Sequence, residues 1–214
     1  MCGRYELKVK ARELNRHFPQ LHLGQGEMPP TGEIHPTDPV LTITHNSAGY
    51  LAAKARWGLV GSFLDKEPRS PLITLHGEGL AAKPFYSKIL KRNRCLLPAT
   101  AFYEWQSPAG GKQKMRISQP TGEVLMFAGI FDHHPLAGTT CAILTTAANE
   151  TVRPIHHRMP VILDRDASSF WLDEYEEFPE AEFAAMLQAP ARQALTIEKV
   201  VEEEPSPQLS LVFA

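Results

Sequence analysis

Apolar residues along the chain occur in short runs, many of them rich in β-branched or aromatic residues. Such runs bounded by glycine, proline and asparagine predict β-strands. The predicted strands are Val40–Thr44, Tyr50–Leu59, Leu72–Leu75, Arg94–Pro98, Ala101–Trp105, Lys114–Ser118, Leu125–Phe131, Thr140–Thr146, Met159–Leu163 and Thr196–Val200. A few segments have helical spacing instead, such as the four-residue step from Leu14 to Phe18. The predicted helices are Lys10–Phe18, Pro84–Leu90, Ser168–Leu172 and Ala181–Leu187.

This order of elements predicts the fold class. Strands and helices do not alternate regularly, which excludes a Rossmann fold or a TIM barrel. We expect an α+β protein, with residues 1–214 forming a single compact domain. Its mainly antiparallel sheet would be curled like a barrel and carry short peripheral helices. The proline-rich segment 19–39 is expected to be a long loop, and residues 201–214 an extended tail.

Composition narrows the class of protein. Apolar residues make up 43% and charged residues 21% of the 214 positions, as in ordinary globular proteins. No apolar run reaches the length of a membrane span, and no signal peptide is evident, so we expect a cytoplasmic protein with no membrane partner. The net charge of −2 does not indicate a nucleic-acid partner. Basic clusters at 83–94 and 112–116 are nevertheless compatible with a local basic groove.

The three cysteines differ in their surroundings. Cys95 and Cys141 lie in apolar runs and are expected to be core residues. Cys2 lies outside such runs, next to the initiating Met1. Removal of Met1 would leave Cys2 with a free α-amine, whose ordinary pKa is ~7.8. Such an amine condenses with an aldehyde to an imine, and the adjacent thiol can then close a thiazolidine ring.

Three polar stretches interrupt apolar surroundings. Glu104 stands between aromatic residues on a predicted strand, where it either faces water or is buried with a raised pKa. His156 precedes an apolar strand and could transfer protons near neutral pH. Thr74, His76 and Glu78 alternate and would share one face of a strand. His133 and His134 are expected at the surface, and no histidine has ligands at zinc spacing, so no metal is expected.

Several motifs in order along the chain resemble the SOS response-associated peptidase family, known as SRAP, of abasic-site-processing proteins. Together they span nearly the whole chain. They are Met1–Tyr5, Trp57–Val60, Arg94–Ala99, Phe102–Trp105, Leu144–Ala148 and Ile155–Leu163.

The resemblance implies a reaction for Cys2. Family members remove their own Met1, and Cys2 then forms a thiazolidine crosslink with the aldehyde of an abasic site in single-stranded DNA. This implies autoproteolytic peptidase and abasic-site lyase or crosslinking activity that shields the lesion in a DNA-damage (SOS) response. Glu104 would activate the amine and His156 would protonate the ribose ring oxygen and serve crosslink reversal. Arg4 would contact a DNA phosphate, whereas Arg158 would form a structural ion pair.

The implied partner is therefore single-stranded DNA containing abasic sites. No cofactor is implied. We expect a monomer, the default for a protein that threads single-stranded DNA, and a cytoplasmic, nucleoid-associated location.

The chain departs from the family pattern at several positions. Thr74 replaces an asparagine that positions the amine, and His76 replaces an arginine that binds phosphate, so one charged DNA contact is lost. Glu33 begins a segment in which only Pro36 is retained, and an acid there would oppose DNA if it faced the groove. Phe63 and Leu64 stand where the family places tryptophans that wedge against bases. They offer less stacking area.

Two alternatives stay open. A diverged family member could bind single-stranded DNA with weak or lost crosslinking. A peptidase acting on other proteins could use a Cys–His–Glu set, although a nucleophile that must be unmasked at the terminus argues for self-processing.

Overall fold

Most of the regular structure in this computed structural model is β-strand. The structure describes residues 2–19, 21–23, 32–107, 111–175, 177–188 and 194–201. The strands are β1 (Tyr5–Leu7), β2 (His22–Leu23), β3 (Gly32–Ile34), β4 (Pro39–Asn46), β5 (Gly49–Trp57), β6 (Thr74–His76), β7 (Arg94–Ala99), β8 (Ala101–Gln106), β9 (Gln113–Ser118), β10 (Leu125–His134), β11 (Gly138–Ala147), β12 (Arg158–Pro160), β13 (Ile162–Leu163) and β14 (Thr196–Lys199). The helices are α1 (Ala11–His17), α2 (Pro84–Arg92), α3 (Arg165–Leu172) and α4 (Glu180–Gln188).

The larger sheet curls and closes on itself. Its strand order is β12-β11-β10-β7-β4-β5-β2, and most neighbours are antiparallel. In addition, β11 pairs with β5 in parallel, with Cys141 opposite Trp57, which joins two strands that are distant in that order. The parallel strand β6 continues along the same strand, with Thr74 opposite Ile143. The α+β class with a barrel-like, mainly antiparallel sheet is therefore confirmed.

The smaller sheet positions the N-terminus. Its order is β14-β9-β8-β1-β3, and every pair is antiparallel. Tyr5 in β1 lies opposite Phe102 in β8, and the Tyr103 amide donates to the Arg4 carbonyl at 3.0 Å. Because the strands are antiparallel, the residues before Tyr5 run toward Glu104.

The core lies between and within these sheets. Tyr5 packs edge-to-face on Trp57, with ring centroids 5.1 Å apart, and on Phe127 at 6.0 Å. Cys95 and Cys141 are fully buried in this core, as their apolar surroundings predict. The N-terminal strand is thus anchored by aromatic contacts that involve both sheets.

Local signals explain where the helices begin. Pro84 occupies the first turn of α2, where its missing N–H costs no hydrogen bond. The Asp164 side chain caps α3 by accepting from the Ala167 amide at 2.9 Å. Glu13 in the first turn of α1 accepts from the Lys10 amide at 3.0 Å.

The structure corrects several predicted boundaries. The expected loop 19–39 contains the short strands β2 and β3 among its described residues, because β3 finds an edge on β1. The single strand expected at Met159–Leu163 is two strands, since β12 pairs with β11 and β13 with β10. Residues 107–111, which contain one proline and two glycines, also predict a hairpin turn, and positions 108–110 of it lie outside the described residues. Residues 202–214 of the expected tail lie outside them as well.

Two predictions about polar residues are also wrong. His134 is buried rather than at the surface, because its Nε2 bonds the Leu64 carbonyl at 2.9 Å. Glu78 lies beyond the end of β6, so it does not continue the alternation of Thr74 and His76.

Candidate active site and nucleic-acid interface

Cys2 is held in a buried position beside β8. Only 1% of its surface is exposed, and its thiol donates to the Arg4 carbonyl at 3.6 Å. Burial raises the pKa of the Cys2 thiol well above its ordinary value, and the nearby Glu104 carboxylate raises it further. The thiol is therefore protonated at neutral pH.

Glu104 is buried on β8, with 3% of its surface exposed. Of the two orientations that the sequence leaves open, the one facing water is therefore wrong. Burial raises the pKa of Glu104 to about 7, because an ionised carboxylate is poorly solvated there. Both protonation states are therefore populated near neutral pH, as a general acid or base requires.

His156 lies in the turn before β12 and faces Glu104. Its Nδ1 is 3.9 Å from Glu104 Oε1, and it accepts from the Arg158 amide at 3.0 Å. The ring stacks on His157 with centroids 4.4 Å apart. Burial lowers the pKa of His156, so the imidazole is mainly neutral at pH 7. Nδ1 also lies 3.1 Å from the Arg158 carbonyl oxygen, to which it donates when it carries a proton.

Arg158 forms the ion pair expected for it. Its Nη1 and Nη2 donate to the two carboxylate oxygens of Glu78 at 2.8 and 2.7 Å. Nη2 also donates to the Thr145 carbonyl at 2.7 Å. This bidentate arrangement fixes the segment that carries His156 against β11.

Thr74 and His76 lie on β6 alongside β11. Thr74 is buried, whereas His76 at the strand end is exposed. His76 pairs with Thr145 in the parallel ladder, next to the Arg158 contact. Strand β6 thus places Thr74 in the protein interior and His76 at the surface near β12.

Phe63 and Leu64 are presented by the loop after β5. Phe63 is 66% exposed and packs edge-to-face on Phe85, with centroids 4.6 Å apart. The loop is anchored to β10, because Asp132 accepts from the Ser62 amide at 2.6 Å and His134 bonds Leu64. A mainly apolar cavity of about 230 Å³ lies beside Phe63. Phe63 therefore forms an exposed apolar tip on an anchored loop, with the half-buried Leu64 beside it.

Arg4 and Pro36 lie at the edge of the smaller sheet, near Glu33. Arg4 Nη1 donates to Glu33 Oε1 at 3.0 Å, and its guanidinium lies 5.6 Å from the Trp105 ring centroid. Pro36 is half-buried two residues beyond β3. Glu33 therefore points at the residue for which a phosphate contact is expected.

The sequence pattern did not indicate that Lys114 lies beside Arg4 and Glu33. Lys114 lies opposite Trp105 in the β8–β9 ladder, and its Nζ lies 4.3 Å from the Tyr103 ring centroid. The turn-forming residues 107–111, placed between two alternating runs, already predict that hairpin. Counting back from the turn would have placed Lys114 across from the motif that contains Glu104.

No group of three or more histidine, cysteine or acidic residues in the described part of the chain is arranged to hold a metal ion. Within the same ranges, no helix is long and apolar enough to cross a membrane.

Comparison with known proteins identifies the family. The family model described as SOS response associated peptidase (SRAP) matches residues 1–204. The chain belongs to the SRAP family. The abasic site processing protein YoqW of Bacillus subtilis is 33% identical over 189 residues, which cover 84% of each chain. YoaM of the same organism, also named an abasic site processing protein, is 31% identical over 192 residues, or 84% of this chain and 82% of the relative.

A solved structure from Bacteroides thetaiotaomicron has the same fold. It matches with a TM-score of 0.78 and 20% identity over 94% of this chain and 92% of that one. At this identity the likeness concerns the fold alone. The family expected from the motifs is thus confirmed by the family model and by relatives that are named abasic site processing proteins.

Proposed function

We propose that this SRAP protein senses abasic sites in single-stranded DNA, removes its own Met1 and captures the lesion through Cys2. The observation that carries the proposal is the position of Glu104. It is buried, its pKa is about 7, and its charge acts on Cys2 while its carboxylate lies 3.9 Å from His156. One proton-transfer group thus serves both the nucleophile and a second acid–base residue.

Hydrolysis of the bond between Met1 and Cys2 comes first and frees the Cys2 α-amine. The amine then attacks the aldehyde carbon of the ring-opened sugar, and Glu104 accepts the proton that it loses. Departure of one water gives the imine. The thiol adds to the imine carbon while its proton passes to the imine nitrogen, which closes the five-membered thiazolidine.

The raised pKa of the Cys2 thiol supports this order of steps. A thiol that is protonated at neutral pH is a weak nucleophile, so the amine reacts with the aldehyde before the thiol does. Addition of the thiol to the imine is intramolecular, which favours ring closure even for a protonated thiol.

His156 protonates the ribose ring oxygen when the sugar opens and serves the reverse reaction when the crosslink is released. The Arg158 backbone lies against Nδ1, so Nε2 acts on the substrate. The proton comes from the imidazolium form of His156, which becomes neutral imidazole as the ring oxygen is protonated. Thr74 replaces the positioning amide with a single hydroxyl and helps to orient the Cys2 amine.

Side chains at four places on the protein contact the DNA. Arg4 contacts a phosphate, and His76 provides a weaker polar contact at the exposed end of β6. Phe63 and Leu64 press against the bases beside the lesion, because an exposed aromatic ring can stack on any base. Pro36 lies beside the path of the bound DNA strand. We further propose that the protein acts as a monomer in the cytoplasm, at the nucleoid.

The experiment is a crosslinking assay on single-stranded DNA that carries one abasic site. Intact mass should first show that the purified chain lacks Met1. The denatured product should then have the mass of protein plus DNA less one water. Cys2→Ala should abolish it, whereas Cys141→Ala, which alters another buried cysteine, should retain it. A protein that keeps Met1, or forms no product, would contradict the proposal.

Alkylation of the denatured product separates thiazolidine from imine. A thiazolidine consumes the Cys2 thiol and leaves only the other two of the three cysteines to react. A simple imine leaves all three reactive. Cys2→Ser should stop at the imine, which borohydride traps.

A second candidate function rests on Thr74 and His76. Their replacement of an asparagine and an arginine favours a diverged DNA-binding protein with weak crosslinking. Reverting Thr74→Asn together with His76→Arg should raise the crosslinking rate strongly if the protein has diverged. If the wild type is an efficient enzyme, the reversion should change the rate little.

A further inference from the structure

A carboxylate occupies the centre of a basic cluster on the smaller sheet. Glu33 Oε1 accepts from Arg4 Nη1 at 3.0 Å, and its two oxygens accept from Lys114 Nζ at 2.8 and 2.6 Å. His35 Nε2 lies 3.9 Å from Glu33 Oε1. Glu33 is therefore surrounded by cationic or ionisable groups.

The cluster is assembled from distant parts of the chain. Arg4 precedes β1, Glu33 lies on β3, and Lys114 lies on β9 at the far side of β8. The Lys114 side chain reaches across the sheet over Tyr103, and only 13% of it is exposed. The Lys114 ammonium group therefore bonds the same carboxylate as Arg4, and the three charged groups meet at Glu33.

Glu33 is ionised at neutral pH. Burial would raise its pKa, but the hydrogen bonds and charges of Lys114 and Arg4 outweigh burial and lower it. Two basic side chains therefore face one carboxylate, and the cluster has more positive than negative side chains. A carboxylate and a phosphate present similar oxygen acceptors to such cations.

We propose that Glu33 occupies the position of a DNA phosphate, and that Lys114 is a further phosphate contact beside Arg4. This inference rests on the proposed function, in that single-stranded DNA approaches the face bearing Arg4. An incoming phosphate displaces the Glu33 carboxylate and takes over its bonds to Lys114 and Arg4. Glu33 thus acts as a built-in competitor: its carboxylate competes with the phosphate for Lys114 and Arg4 and lowers the affinity for DNA.

The competitor has a distinctive effect on salt dependence. DNA affinity falls with salt because cations on the protein release counterions from the DNA. A phosphate that displaces Glu33 gains the same bonds that the carboxylate gives up, and the freed carboxylate adds repulsion. Removing its charge therefore strengthens binding and increases the salt slope by about one unit.

The test uses undamaged single-stranded DNA, so that no crosslink forms, with anisotropy titrations at several salt concentrations. Glu33→Gln should bind roughly 5- to 30-fold more tightly than wild type, within the usual range of coupling between sites. Glu198→Gln is the matched control, since it removes one negative charge from another ion pair, with Arg116, on the same sheet. Equal gains in both variants would overturn the proposal.

Lys114 provides the second arm. Lys114→Gln should weaken binding, and by a larger factor in the Glu33→Gln background than in wild type, because there the lysine is free for DNA. Lys114→Arg should restore binding. If the ion pairs are purely structural, Glu33→Gln lowers thermal stability and leaves DNA affinity unchanged, which would overturn the inference.

The two proposals can fail separately. If wild type forms the crosslink but Glu33→Gln does not bind DNA more tightly, the competitor is refuted and the function stands. If no crosslink forms but Glu33→Gln shows the gain, the crosslinking function is refuted and the competitor stands. If neither wild type nor Glu33→Gln binds DNA at low salt, both are refuted.

Discussion

His156 Nδ1 lies 3.9 Å from Glu104 Oε1, beyond hydrogen-bond distance but in close electrostatic contact. Burial shifts the pKa values of the two groups in opposite directions, because it disfavours the charged form of each. The carboxyl pKa rises to about 7 while the imidazole pKa falls below its usual value. Near neutral pH, Glu104 can therefore give or take a proton at small cost, whereas His156 is mainly neutral.

The first prediction concerns the pH dependence of crosslinking. Glu104 accepts a proton only when ionised, so the single-turnover rate should rise with pH around a midpoint near 7. Glu104→Gln should lower the rate by roughly 10²- to 10⁴-fold and remove that midpoint, leaving the later ionisation of the α-amine. Glu198→Gln, at an exposed position of β14, should keep the wild-type profile. An unchanged midpoint in Glu104→Gln would contradict the role of this carboxyl.

The second prediction separates ring opening from imine formation. His156→Gln should slow crosslinking by about 10²-fold with an ordinary abasic site, which is mostly in the closed-ring form. The loss should be much smaller with DNA carrying an open-chain aldehyde, since no ring oxygen then needs a proton. His157→Gln alters the stacked neighbour and serves as the control. Equal losses on both substrates would place His156 elsewhere in the reaction.

Local pattern predicted much of this fold. Short apolar and β-branched runs indicated the strands near β4, β8 and β11, each of which has at least four consecutive buried residues. The pattern could not indicate which strands distant in sequence pair. It could not predict that β11 and β5 pair in parallel, since that contact depends on how the whole sheet curls. The strands β2 and β3 were missed because they are short and lie in a proline-rich segment.

The candidate site, like the fold, was predicted from the sequence only in part. The motifs located Cys2, Glu104 and His156, which the structure links through Glu104. Alternation alone left two orientations for Glu104, and only packing decides between them. The contact between Glu33 and Lys114 was beyond sequence reasoning, because it crosses strands from distant parts of the chain.

The third prediction concerns acid stability. Burial would raise the pKa of Glu6, but hydrogen bonds from Lys8, Arg116 and Tyr103 lower it to about 2. A depressed pKa contributes stability above the unfolded value near 4.5, and that contribution is lost as pH falls toward 2. Glu6→Gln should therefore be less stable than wild type at pH 7.

The difference between Glu6→Gln and wild type should shrink steadily between pH 4.5 and 2. Denaturant unfolding at a series of pH values measures it. A difference that stays constant over this range would show that Glu6 acts through packing and not through its charge.

The fourth prediction concerns Phe63. Stacking on a base is worth about 1–3 kcal/mol, so Phe63→Ala should weaken binding of undamaged single-stranded DNA by roughly 5- to 150-fold. Because the side chain is 66% exposed, the free energy of unfolding should change little. Leu136→Ala removes another exposed apolar side chain, 80% exposed, and should leave DNA affinity unchanged. Equal affinity of Phe63→Ala and wild type would exclude Phe63 from the interface.

The last prediction concerns the Arg158–Glu78 pair that holds the His156 segment. Arg158→Met removes two bonds to Glu78 and two to Thr145, and should lower the free energy of unfolding by roughly 1–3 kcal/mol. Glu78→Gln retains one acceptor and should cost less, because the Glu78 side chain is 46% exposed. Denaturant unfolding measures both.

Arg158→Met should also slow crosslinking, because the Arg158 amide that fixes the His156 ring would lose its anchor. The slowing should be largest with the closed-ring substrate, as for His156→Gln. If Arg158→Met slowed both substrates equally while remaining folded, Arg158 would act on the DNA directly and not through His156.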